Sequence, residues 1–235
     1  MKKVRYVFYI AKFDLLNVLR GKRKPHLIDD GISLWTGLFN WWTPPYSHMS
    51  VWIQDENGDF VIPTYTPNFY RGPSAEDFLN VGTCYTSTMR GDDNGTVSRP
   101  ASTVFKYPKR WEYIEFEVTD ESFEAAKAWA DERVKNNKGY SKRDLLRFAM
   151  PLWLLKKLKI ADPDREICSE HGEGWATRLE TGPVWGMRII WLLEKILIRS
   201  PRRLWRDLIR RHHVPTYSLA TGLMVRDENG KKVKA

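Results

Sequence analysis

Apolar and polar positions change period along this chain. From His48 to Gln54 a run of aromatic and apolar residues leads into Asp55-Glu56-Asn57-Gly58. An Asn-Gly pair between apolar runs predicts a hairpin, with His48 opening its first strand. Thr83 to Thr88 is rich in strand-forming residues, and Gly91-Asp92-Asp93-Asn94-Gly95 predicts a turn. Ile114, Phe116 and Val118 alternate with Glu115 and Glu117, the mark of a half-buried strand. Together these segments predict a small antiparallel sheet, interrupted between Tyr65 and Gly82 by a loop excursion carrying Pro67, Asn68, Gly72 and Pro73.

Helical spacing governs the rest. Ile10 to Leu19 reads as a short amphipathic helix stopped by Gly21. After Val118, Thr119 or Asp120 caps a helix whose Phe123, Ala126, Ala130 and Val134 share one face, ended by Asn136, Asn137 and Gly139. Further helices are expected over Lys142 to Leu158, Cys168 to Leu179, Trp185 to Ile198 and Pro201 to Arg211. The expectation is therefore one α+β domain over 1–235. Residues 1–28 form an N-terminal helical extension, 55–82 a loop insertion, and 185–235 a basic helical C-terminal elaboration.

Composition narrows the class. Eleven Trp, ten Tyr and ten Phe in 235 residues argue for a packed core rather than a disordered chain. Two cysteines, Cys84 and Cys168, cannot build a disulfide scaffold, so a reducing, cytoplasmic compartment is expected. Lys12 and Asp14 break the first apolar run before it reaches a signal-peptide core. Arg188, Glu194 and Lys195 interrupt the most apolar later stretch, so no membrane span is expected. The net charge of +9 is unevenly placed: Ser141 to Ala235 hold 20 basic and 11 acidic residues, whereas the first 140 balance at 18 and 18. Such an end suits an anionic surface, and no nucleic-acid motif accompanies it.

The candidate chemistry sits in two short strings, Tyr46-Ser47-His48-Met49-Ser50-Val51 and Ile167-Cys168-Ser169-Glu170. A thiol reacts as thiolate, and both a helix N-terminus and an adjacent imidazole favour that form. A strand histidine facing a cysteine at a helix start meets the need. Cys168-Ser169-Glu170-His171 also has a C-x-x-H spacing, but apart from the adjacent His212-His213 no second ligand pair accompanies it, so no metal or other cofactor is expected. Cys84 reads as a core residue.

A histidine strand, a later strand, and then Cys-Ser-Glu at a helix start resemble the circularly permuted papain-like cysteine hydrolases, the permuted branch of the NlpC superfamily. Gly82 to Gly91, Arg110-Trp111-Glu112-Tyr113, Gly139-Tyr140 and Ser200 to Leu204 are similar to segments of its phage-encoded members. The resemblance runs from about Asp29 to Leu208. It implies Cys168 as nucleophile, His48 as base, and an orienting group on a strand after the histidine strand. Ser87 is the first choice for that group, with Thr86 and Thr64 as rivals, because Thr86-Ser87-Thr88 stands where some members have a carboxylate. The resemblance implies a thiol hydrolase acting on an amide or peptide bond, such as a cell-wall peptide. The alternatives are a lipid acyl hydrolase or acyltransferase of the lecithin retinol acyltransferase type, and a catalytically silent binding module. Gly172 and Gly174 follow the cysteine and weaken its helix by about 1 kcal/mol each relative to alanine, unless they give a substrate close access to the backbone.

Overall fold

Seven strands form one antiparallel sheet in a computed structural model that describes residues 1–10, 46–53, 82–89, 93–140, 167–179 and 201–233. In chain order the elements are β1 (Lys2–Ile10), β2 (Tyr46–Ile53), β3 (Thr83–Thr88), β4 (Gly95–Pro100), α1 (Ala101–Val104), β5 (Trp111–Val118), α2 (Asp120–Lys135), α3 (Cys168–Arg178), α4 (Pro201–His212), β6 (Thr216–Ser218) and β7 (Met224–Arg226). The strand order is β4-β3-β2-β1-β5-β6-β7. An α+β architecture is thus present. The expected helices 142–158 and 185–198, the hairpin turn at Asn57-Gly58, Thr64 and most of the 55–82 insertion lie outside the described residues.

The N-terminal expectation needs correcting over its first ten residues. Rather than an extension beside the domain, Lys2–Ile10 is the sheet's middle strand, pairing with β2 on one side and β5 on the other. A central strand is buried on both faces and so reads as a nearly continuous apolar run. Val4, Tyr6 and Phe8 fill one face, while Val7 and Tyr9 fill the other. The C-terminal region is not purely helical either, since β6 and β7 extend the sheet beyond β5.

The two sheet faces have separate cores. One holds Val4, Tyr6, Phe8, Tyr46, Met49, Val51, Tyr85 and Ile114 against Phe123 and Ala126 of α2, Cys168 and Trp175 of α3, and Leu204 and Trp205 of α4. The opposite face gathers Val7, Trp52, Cys84, Ala101, Phe105, Trp111, Tyr113 and Leu219. α2 forms as its sequence dictates: the Thr119 side chain accepts the Ser122 N–H at 3.2 Å, with Asp120 and Glu121 in the first turn and Arg133 and Lys135 in the last, matching the helix dipole.

α4 spends its apolar side on the core, burying Leu204, Trp205, Leu208 and Ile209. Arg202 is buried with them, and burial first, then the Arg206 charge, pulls its pKa down to about 10. Arg210 is exposed on the outer side, and Arg206 and Arg211 are partly exposed. No described helix is long and apolar enough to cross a membrane.

Candidate active site

His48 lies in β2, where the ladder to β1 slips by one residue. Tyr9 pairs with His48 and Ile10 with Tyr46, so Ser47 is the extra residue of a bulge. Tyr9 also pairs with Trp111 of β5, which places His48, Tyr9 and Trp111 in one row across the sheet. The His48 and Trp111 rings meet edge to face at 6.3 Å between centroids. His48 therefore leaves the sheet on the side of Trp52, Phe105 and Trp111.

A hydroxyl of β3 meets its ring. His48 Nε2 lies 3.1 Å from Thr86 Oγ1, and the same hydroxyl donates its proton to the Met49 carbonyl at 3.0 Å. With that proton committed, Oγ1 is left as an acceptor for a His48 Nε2–H, and Nδ1 becomes the basic nitrogen. All three groups are buried. Ser87, the first choice from sequence, is fully buried one position further along β3 and leaves the strand on the Tyr85 side. The pleat could have ranked the two: Thr86 has the parity of Cys84, which pairs with Trp52 on the His48 face.

Cys168 is the first residue of α3 and is 5% exposed. α3 lies across β2 and β3, with its Trp175 ring 5.4 Å from that of Tyr85. The Ile167 N–H donates to Glu170 Oε2 at 3.1 Å, and the Ile167 side chain supplies no acceptor to the first-turn N–H groups. Cys168 packs in the core with Met49 and Tyr85, on the face opposite the one His48 enters. Two more hydroxyls flank the pair in sequence: Ser47 Oγ and Ser169 Oγ are buried without a hydrogen-bond partner among the described residues. Burial pushes the Cys84 thiol well above its ordinary pKa, as suits an inert core cysteine.

The glycines of α3 have a packing reason. A Cβ at Gly172 would run into the end of the Met49 side chain, and one at Gly174 into the Trp129 ring. These contacts, rather than substrate access, occupy the space the missing side chains leave. Trp129 stacks on His171 at 5.2 Å and carries the Arg178 guanidinium at 4.1 Å. His171 Nε2 accepts the Trp175 indole N–H at 3.2 Å, so that nitrogen of the C-x-x-H pair is engaged in α3 itself. No group of three or more potential metal ligands occurs among the described residues.

Sequence reasoning missed a second polar cluster. The Tyr46 hydroxyl donates to Glu112 Oε2, and Arg226 Nε donates to the same oxygen at 3.3 Å. Burial, then the facing carboxylate, holds the Tyr46 hydroxyl well above the ordinary tyrosine range. No family model, curated protein or solved structure matches this chain.

Proposed function

We propose that this chain is a thiol hydrolase of the permuted papain-like kind, cleaving an amide or peptide bond with Cys168 as nucleophile and His48 as base. His48 Nδ1 takes the Cys168 proton, and the thiolate adds to the substrate carbonyl. The oxyanion is held by the Cys168 backbone N–H. The imidazolium returns its proton to the leaving amine, which departs as the thioester forms. Water, deprotonated by His48, then attacks the thioester, releasing the acid and restoring the thiol. The observation that carries this reading is the His48–Thr86–Met49 chain, which favours the tautomer with its proton on Nε2 and the basic lone pair on Nδ1. In this reading Thr86, rather than Ser87, orients the ring.

The test is trapping of the acyl intermediate. The protein is incubated with peptide amides and, separately, with lipid esters, then quenched in acid and analysed by peptide mass spectrometry. An acyl thioester on Cys168, lost in Cys168→Ala and strongly reduced in His48→Ala, is the expected result, and the donor that yields it selects between amide and lipid ester. Absence of any acyl adduct overturns the enzyme reading. A second reading then takes its place, favoured by the opposite sheet faces on which Cys168 and His48 are rooted: a silent module that binds a partner through the exposed arginines of α4.

A further inference from the structure

A buried carboxylate that the proposed chemistry does not use stands next to the bulge that carries the base. Glu112 lies on β5 opposite Phe8, and Tyr46 lies on β2, so the Tyr46–Glu112 hydrogen bond spans β1 from one flanking strand to the other. Tyr46 and His48 are the two residues on either side of the Ser47 bulge. The Tyr46 ring is fully buried against Phe8 and Trp205, with centroids 5.2 Å and 5.4 Å away. Arg226 completes the set from β7. Its guanidinium pairs with Glu112 and lies 5.8 Å from the Trp205 ring centre. Among the described residues, the charged groups facing the Tyr46 hydroxyl are thus Glu112 from β5 and Arg226 from β7.

A bulge leaves one residue unpaired, bends its strand and re-aims the neighbouring side chains, so the contacts on either side of it set how those side chains leave the sheet. The side of the Ser47 bulge toward β3 is held by the His48–Thr86 contact, and the other side by the Tyr46 hydroxyl. We infer that Tyr46 and Glu112, locked by Arg226 of the C-terminal hairpin, are positioning residues that pin the bulge and so fix where the His48 imidazole stands. This inference rests on the proposed Cys168–His48 pair. It gives the last strand of the sheet a role in that pair's geometry. None of the three touches substrate in this reading.

The experiment follows the rate of Cys168 alkylation by iodoacetamide against pH in the full chain. Variants are Tyr46→Phe, Arg226→Gln, the conservative Arg226→Lys, His48→Ala, and Val4→Ala as a core variant at the far end of β1, where Val4 pairs with Ile53. Tyr46→Phe keeps the ring and removes only the hydroxyl. It is expected to slow labelling about tenfold at neutral pH, as a misplaced base does, and to move the midpoint of the profile up toward that of His48→Ala. Arg226→Gln moves it in the same direction and Arg226→Lys restores it. Val4→Ala lowers the unfolding midpoint but leaves the profile in place. A wild-type midpoint in Tyr46→Phe, or an equal shift in Val4→Ala, overturns the inference while leaving the pair intact. A wild-type profile in His48→Ala overturns the pair and the inference together.

Discussion

The two faces of the sheet solve different problems with similar residues. Under α2, α3 and α4 the aromatics pack with their polar atoms tied off: Tyr46 to Glu112, Tyr85 to Asp131 at 2.6 Å, and the Trp205 indole N–H to Thr216 at 3.0 Å. The opposite face mixes aromatics with charge. Arg5 sits between Trp52 and Tyr113, 4.9 Å and 4.5 Å from their ring centres, and pairs with Glu115 at 2.7 Å. His48, Thr86 and Ser50 leave the sheet on that side. The first face holds the helices in place and carries the proposed nucleophile; the second holds the proposed base. Since adjacent residues of one strand serve the two faces, Met49 packs under α3 while the His48 ring stands on the other side.

The largest effect should come from opening the helix face. Trp205 is 1% exposed, and Trp205→Ala should cost about 3–5 kcal/mol in urea unfolding; a loss below about 1 kcal/mol would mean that α4 is not part of this core. Thr86→Val sharpens the other side. It removes one hydroxyl at nearly constant volume and leaves His48 Nε2–H and the Met49 carbonyl without that partner. A cost of about 1–3 kcal/mol is expected, together with slower Cys168 alkylation. Unchanged alkylation would remove Thr86 from the orienting role.

The α3 glycines compare a rigid with a flexible neighbour. Gly174→Ala presses on a Trp129 ring held between His171 and Arg178, and should destabilise by about 1–3 kcal/mol despite the better helix propensity of alanine. Gly172→Ala meets the end of the unbranched Met49 side chain and the tip of Leu204, both able to give more readily than a stacked ring, and should cost less. A reversed order would contradict the packing. The smallest change in stability is expected from replacing Arg206, Arg210 and Arg211 together by Gln, within about 0.5 kcal/mol, as for other surface sites. Attraction to anionic vesicles should weaken with those charges and fade as salt rises, because exposed charges are screened over about 8 Å at physiological ionic strength. Salt-independent binding would point to a different surface.

Much of this was legible in the sequence. The strand Thr83–Thr88, the Thr119-capped helix with Phe123, Ala126 and Ala130 inward, the helix start at Cys168 and the helix from Pro201 all stand where residue periodicity puts them. β1 was not legible, because KKVRYVFYI has no clean alternation to show, being buried on both sides. β6 and β7 are three residues each, too short for any period to register. At the site, the strand position of His48 and the helix position of Cys168 followed from local signals. The Thr86 contact and the Tyr46–Glu112–Arg226 cluster did not, since both join residues 38 to 114 positions apart and depend on strand register.

The most direct test is the alkylation of the two cysteines in the folded protein near neutral pH, followed residue by residue with isotope-coded iodoacetamide. If Cys168 and His48 form the proposed pair, Cys168 reacts much faster than the buried Cys84, and His48→Ala removes most of that advantage. Equal rates for Cys84 and Cys168, unchanged by His48→Ala, would leave no activated thiol and contradict the enzyme reading.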